Sequence, residues 1–174
     1  MLRPATADDA GTLLCLEKQA STVALSHIFG PEIPFPDDDI LARWALVLQD
    51  PDATVLLDHD RGEPVGYVAF SAGWLRHLAV LPDWWGTGRA ATLHDVAVDA
   101  LTEQGCTTAK LWVLMHNHRA RAFYRRRGWV DTEALEDEVF PPYPIKVMMA
   151  RRLWEDCAFT SLREDRTARV TPFP

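Results

Sequence analysis

Apolar positions along the chain change period repeatedly, and each change marks a structural element. Leu2 to Ala5 reads as a short strand. Thr6 stands where an N-cap would, Asp8 and Asp9 suit the positive end of a helix, and Ala10, Leu13, Leu14 and Leu16 recur at helical spacing, so a helix is expected from Ala7 to about Gln19. Gly30, Pro31, Pro34 and Pro36 break the pattern between Ser21 and Pro36, and a second helix is expected over about Asp38 to Leu48. Two β-rich runs, Thr54 to Asp58 and Pro64 to Ala72, flank the turn-forming His59-Asp60-Arg61-Gly62 and predict an antiparallel pair. Trp74 to Leu81 follows as a third strand of that sheet, and Pro82 ends its hydrogen-bonding capacity.

Further along, Leu93, Val96, Ala97, Ala100 and Leu101 place a helix over about Gly88 to Gln104, stopped by Gly105. Lys110 to Met115 reads as a central strand buried on both faces, and strand, helix and strand make one right-handed crossover. A helix from Asn117 to about Arg127 is closed by Gly128, with Arg125, Arg126 and Arg127 suited to its negative end. Glu133 to Tyr143 reads as irregular, and Ile145 to Leu153 as the last strand. The polar stretch 154–174 is expected to be a C-terminal tail on a domain of residues 1–153, packing on the surface or on another subunit.

Composition narrows the function classes. A chain of 174 residues, 48% hydrophobic and 25% charged, fits one globular domain. A net charge of -7 argues against a nucleic-acid partner, because phosphate tracking needs clustered Lys and Arg. The start, Met1-Leu2-Arg3-Pro4, lacks the apolar run of a signal peptide or membrane span, so the cytoplasm is the expected compartment, with no membrane partner. Cys15, Cys106 and Cys157 are widely separated, so they are expected to be reduced and mostly to pack, without metal-ligand spacing.

The candidate chemistry lies at Trp85-Gly86-Thr87-Gly88-Arg89-Ala90, between a strand and a helix. Such a loop exposes unpaired backbone N–H groups at the positive end of the helix dipole, the chemistry of a pyrophosphate cradle. Glycines let the backbone approach a phosphate closely, Ala90 and Ala91 keep the first turn unobstructed, and Arg89 offers a charged donor. Alternatively, the glycines only make a tight turn. A dinucleotide fingerprint is excluded because position 91 is Ala, and a P-loop because no Gly-Lys-Ser/Thr follows.

Downstream stands Asn117-x-x-Ala120-x-x-Phe123-Tyr124-x-x-x-Gly128-Trp129. With the glycine loop, the strand Leu78-Ala79-Val80-Leu81-Pro82 and an Arg-Pro-Ala-Thr opening, this motif resembles the GNAT superfamily of N-acetyltransferases over about Leu2 to Leu153. The resemblance implies the GNAT fold, an α/β (α+β) architecture with a mixed central sheet of about six or seven strands flanked by about four helices. It implies acetyl-CoA as cosubstrate, wedged between two splayed parallel strands. The implied site comprises Leu78, Ala79 and Val80; Trp85, Gly86, Thr87, Gly88, Arg89, Ala90 and Ala91; and Asn117, Ala120, Phe123 and Tyr124. Trp85 departs from the family's Gln or Arg, which removes a side-chain phosphate contact but leaves the backbone cradle. The family often forms homodimers.

By the same resemblance Asn117 contacts the pantetheine arm and Tyr124 sits beside the CoA sulfur. A phenol can donate to a departing thiolate. Asn117 can also serve as its helix's N-cap, and the two roles are compatible. The proton acceptor for the amine is left between His77, in the strand beside the cleft, and ordered water. His116 and His118 lack a third ligand nearby, so no metal is expected. The acceptor pocket is expected from Phe29 to Pro36 and Glu133 to Tyr143, where Glu136, Asp137 and Glu138 either meet a cationic amine or form a solvated acidic edge. The expected activity is direct acetyl transfer from acetyl-CoA to a primary amine of a small molecule, peptide or protein. A non-catalytic acyl-CoA-binding module is the alternative.

Overall fold

The computed structural model describes residues 1–153, and the tail expected at 154–174, with Cys157, lies outside the described residues. Strands β1 (Leu2–Pro4), β2 (Thr54–Asp60), β3 (Glu63–Ser71), β4 (Trp74–Val80), β5 (Thr108–Leu114), β6 (Val130–Asp137) and β7 (Ile145–Arg152) form one sheet in the order β1-β2-β3-β4-β5-β7-β6. Every pairing is antiparallel except β4 with β5. Helices α1 (Ala10–Ala24), α2 (Asp37–Gln49), α3 (Arg89–Glu103) and α4 (His118–Arg125) flank it.

Side-chain alternation divides the core between the two faces of the sheet. Leu13 and Leu16 of α1 and Ile40 and Trp44 of α2 meet Val55, Leu57, Tyr67 and Ala69 on one face. On the other, Leu93, Ala97 and Leu101 of α3 meet Val68, Phe70, Leu75 and Val80, and this core continues into Leu111, Val113, Val147 and Met149. β3 is therefore buried almost throughout. β5 alternates buried and open positions, so the expectation of burial on both faces is not met: α1 and α2 cover the β2–β3 side of the sheet, leaving Lys110 exposed.

Three further expectations change. The stretch read as irregular begins with β6, whose side chains are mostly exposed and whose stability comes from the β7 ladder (Val130↔Ala150, Leu135↔Val147) rather than from burial. α1 runs on to Ala24, five residues beyond the expected Gln19. Cys15 is exposed on α1, against the packing role expected of it, whereas Cys106 packs at the edge of the core.

One buried polar pair joins α3 to the residues after α4. The Trp129 Nε1–H donates to His94 Nε2 at 2.9 Å, so His94 carries its proton on Nδ1, which donates to Asp95 Oδ1 at 2.7 Å. Burial pushes the His94 pKa down, with Asp95 opposing. Trp129→Phe leaves the Nε2 acceptor buried and unpaired, and should cost about 1–3 kcal/mol in a urea unfolding series. The linked pH effect has a definite sign. Because the folded pKa is lowered, the neutral ring's contribution is present above the unfolded value near 6.5 and is lost as pH falls below it. The His94 ring resonance should therefore titrate below the ordinary histidine range by NMR, with stability falling on acidification from about pH 6.5.

Candidate active site

β4 and β5 pair at Trp74↔Lys110 alone, held by the Lys110 N–H donating to the Gly73 carbonyl at 2.8 Å. Beyond that pair the strands part. The opening becomes a cleft of about 190 Å³ walled by Leu78, Ala79 and Val80 of β4, by Ala20, Ser21, Ala24 and Leu25 at the end of α1, and by Asn117, Arg119, Ala120, Phe123 and Tyr124 of the α4 region. Trp85 and Ala90 complete one end. The α1–α2 connection is tied across this region, since His27 Nε2–H donates to the His116 carbonyl at 2.9 Å.

At the glycine loop, Gly86 and Gly88 have φ of +78° and +89°. A Cβ at either would meet nothing within 4 Å, so glycine is required there by backbone handedness rather than by crowding, and the space before the loop is open. The first turn of α3, from Arg89 to Ala91, presents N–H groups with no intrahelical acceptor, the Thr92 N–H to Gly88 carbonyl bond at 3.0 Å being the first to close. This arrangement fits a polyanion.

The loop's side chains are less available than the sequence suggests. Arg89, expected as a free charged donor, binds Asp58 Oδ2 at 2.7 Å and Asp60 Oδ1 at 2.6 Å, with its guanidinium 4.4 Å from the Trp84 ring centre. It anchors the loop to β2 instead. Trp85 Nε1–H donates to the Val80 carbonyl at 2.8 Å, and the Thr87 hydroxyl to the Trp84 carbonyl at 2.7 Å.

Asn117 and Tyr124 come together in the cleft wall. Asn117 Oδ1 accepts from the Ala120 N–H at 3.1 Å, making it the α4 N-cap while it lines the cleft. Tyr124 is 8% exposed, and its ring rests among those of Phe123, His94 and Trp129. Burial raises its pKa, so the phenol stays protonated and can donate.

His77 lies elsewhere. It pairs with Ala69 in the ladder and faces α2, its ring 5.1 Å from that of Trp44. Some ring surface stays accessible, but desolvation, with Arg43 and Arg76 nearby, lowers its pKa to about 3. Such a group accepts a proton poorly at neutral pH, and it does not line the cleft, which corrects its candidacy as base. The acidic stretch is partly neutralised, with Lys146 Nζ at 3.7 Å from Glu136 and 3.8 Å from Glu138. Phe140 packs towards the α1–α2 core, and Tyr143 is 60% exposed. The sequence places Ser21, Ala24 and Leu25 in an irregular stretch, Ser21 to Pro36, expected to wall the substrate side, whereas they line the cleft from the end of α1, together with Ala20. Arg119 is a lining residue that no motif singled out.

Comparisons agree with this geometry. The chain is 34% identical over 93 residues to an uncharacterized N-acetyltransferase of Archaeoglobus fulgidus, an alignment covering 47% of this chain and 62% of the relative, less than two thirds of its length. An uncharacterized N-acetyltransferase of Mycobacterium tuberculosis is 30% identical over 129 residues, covering 70% of this chain and 83% of the relative. The crystal structure of PaiA N-acetyltransferase from Thermoplasma acidophilum in complex with coenzyme A superposes with a TM-score of 0.67 over 87% of this chain and 98% of that one at 16% identity, a likeness of fold. The family model for the acetyltransferase (GNAT) family matches residues 22–129, a stretch holding β4, the glycine loop and the Asn117-to-Tyr124 helix, and on that match the chain belongs to this family.

Proposed function

We propose that the protein is an acetyl-CoA-dependent N-acetyltransferase that transfers acetyl to a primary amine of a small molecule, peptide or protein by direct attack in a ternary complex. The observation that carries this reading is the parting of β4 from β5 after one pair, which opens a cleft onto Tyr124 beside an anion-binding helix start. When bound, acetyl-CoA supplies the activated acyl group. The Gly86–Ala91 backbone would hold its pyrophosphate, the unpaired edge of β4 would orient the pantetheine arm, and Asn117 would border that arm. The amine nitrogen would form its bond to the acyl carbon as the carbon–sulfur bond breaks, the sulfur leaving as a thiolate that the neutral Tyr124 O–H would stabilise by donating a hydrogen bond. Neither Cys15 nor Cys106 lines the cleft, which favours direct attack over a cysteine relay. The amine proton leaves through ordered water, because the cleft walls carry no carboxylate or imidazole among the described residues.

That missing base also favours the second reading, a non-catalytic acyl-CoA-binding module. Free-thiol release from acetyl-CoA against a panel of small amines and peptides, with CoA titration on the same sample, separates the two. Amine-dependent release establishes the transferase, and CoA binding without turnover favours the binding module. No helix of the described residues is long and apolar enough to cross a membrane. A cytoplasmic setting and a homodimer belong to the same proposal, the latter tested by sedimentation. Tyr124→Phe should lower kcat about 100-fold while leaving CoA affinity unchanged, because the hydroxyl acts on the leaving group rather than in ground-state binding. Unchanged turnover would assign the donor role elsewhere.

A further inference from the structure

Trp84 and Trp85 each carry an arginine on the ring face, and the two arginines differ in what else they hold. Arg89, 4.4 Å from the Trp84 centroid, is neutralised by Asp58 and Asp60. Arg119 lies with its guanidinium carbon 3.2 Å from the Trp85 centroid, and no side chain or carbonyl among the described residues pairs with it. Desolvation lowers its pKa, yet a guanidinium remains charged at any physiological pH.

Arg119 is exposed apart from this stack, so its charge is held by water and no protein group among the described residues competes for it. It is the second residue of α4, in the first helical turn, where the dipole disfavours positive charge and favours an anion alongside. Stacking on the indole offsets part of that cost. The indole itself is fixed by its bond to the Val80 carbonyl, so it forms a firm platform that keeps the guanidinium at the loop end of the cleft. Trp85 also occupies the position where the family resemblance expects a Gln or Arg.

We propose that Arg119, stacked on Trp85, supplies the pyrophosphate-directed donor that residue 85 lacks, acting from α4 opposite the Gly86–Gly88 backbone. This rests on the acyl-CoA reading above. A guanidinium offers paired N–H groups that match two phosphate oxygens, and the flat indole restricts how it can turn. The donor has moved from the loop to the facing helix, so phosphate binding would draw α4 and the loop together across the cleft.

Calorimetric titration of the full chain with CoA, dephospho-CoA and pantetheine tests this. Arg119→Gln should weaken CoA and dephospho-CoA about tenfold, equivalent to about 1.4 kcal/mol, with a shallower salt dependence and no change for pantetheine, which has no phosphate. Arg119→Lys should fall between, keeping the charge but losing the planar stack. Because Arg119 has no protein partner beyond Trp85, the melting temperature of Arg119→Gln should match the wild type. CoA binding by Arg119→Gln equal to wild type overturns the proposal. So does an equal loss for pantetheine, which would place the Arg119 contact on the pantetheine arm rather than on a phosphate. A loss confined to CoA and absent with dephospho-CoA moves the contact to the 3′-phosphate and overturns the pyrophosphate assignment. Failure of the wild type to bind CoA sinks both this inference and the acyl-CoA reading, whereas wild-type binding that Arg119→Gln retains sinks this inference alone.

Discussion

A sheet normally satisfies its backbone by continuing each ladder, and this one abandons that rule between β4 and β5 after Trp74↔Lys110. The N–H and C=O groups of the diverging edges need partners, and a ligand with an amide-bearing arm is one way to provide them. The rest of the fold is arranged to tolerate this gap. α3 connects the two parted strands and buries Leu93, Ala97 and Leu101 in the core that extends from β3 and β4 to β5, while the β5–β7 ladder runs unbroken from Thr108↔Arg152 to Leu114↔Lys146 and stiffens the far side. The end of α1 leans over the opening, and the His27 bond to the His116 carbonyl ties the connection that follows to the end of β5.

Charge around the gap follows a similar division. The -7 net charge sets a repulsive background for any polyanion, so cations near the loop matter individually. Arg89 is consumed in holding the loop to β2 through Asp58 and Asp60, and Arg121 and Arg125 share Asp131. These are structural pairs. Among the described residues that line the cleft, Arg119 is the cation held by no carboxylate, and it faces the same opening as the glycine-loop backbone, one fixed by an indole face and the other by dihedral angles.

Much of this was legible because it depends on local rules. Helix spacing located α2, α3 and α4, turn chemistry located the β2–β3 hairpin, and the positive φ of Gly86 and Gly88 is what a strand-to-helix loop with two glycines implies. The errors share a different cause, since each depends on a partner distant in sequence. β6 is charged and exposed, and pairing with β7 rather than any pattern of its own makes it a strand. Ser21 and Ala24 continue α1 past Gln19 and line the cleft there, a placement set by strands and helices far along the chain. Arg89 resembled a ligand donor until Asp58 and Asp60, about thirty residues away, claimed it. His77 sits in the strand that lines the cleft, but it lies just before the Leu78–Val80 stretch that forms the wall and its ring packs by Trp44, a placement set by the register shift at the Ala69/Phe70 bulge.

The protonation state of Tyr124 follows from its surroundings and bears on what the phenol can do. Burial among Phe123, His94 and Trp129 raises its pKa, which alone would make it a weaker acid towards a thiolate. In the proposed transfer the same burial would act on the thiolate expelled into the cleft, since desolvation disfavours any anion, so the pKa values of donor and leaving group would rise together rather than diverge. A neutral phenol fixed in such a place would stabilise the developing negative charge of the proposed transfer without a reorganisation step. The neutral His94–Trp129 pair beside it would serve the same end in the proposed transfer: a charged imidazolium there would favour the phenolate, whereas the Nδ1-protonated ring, with Nε2 occupied by Trp129, leaves the phenol protonated.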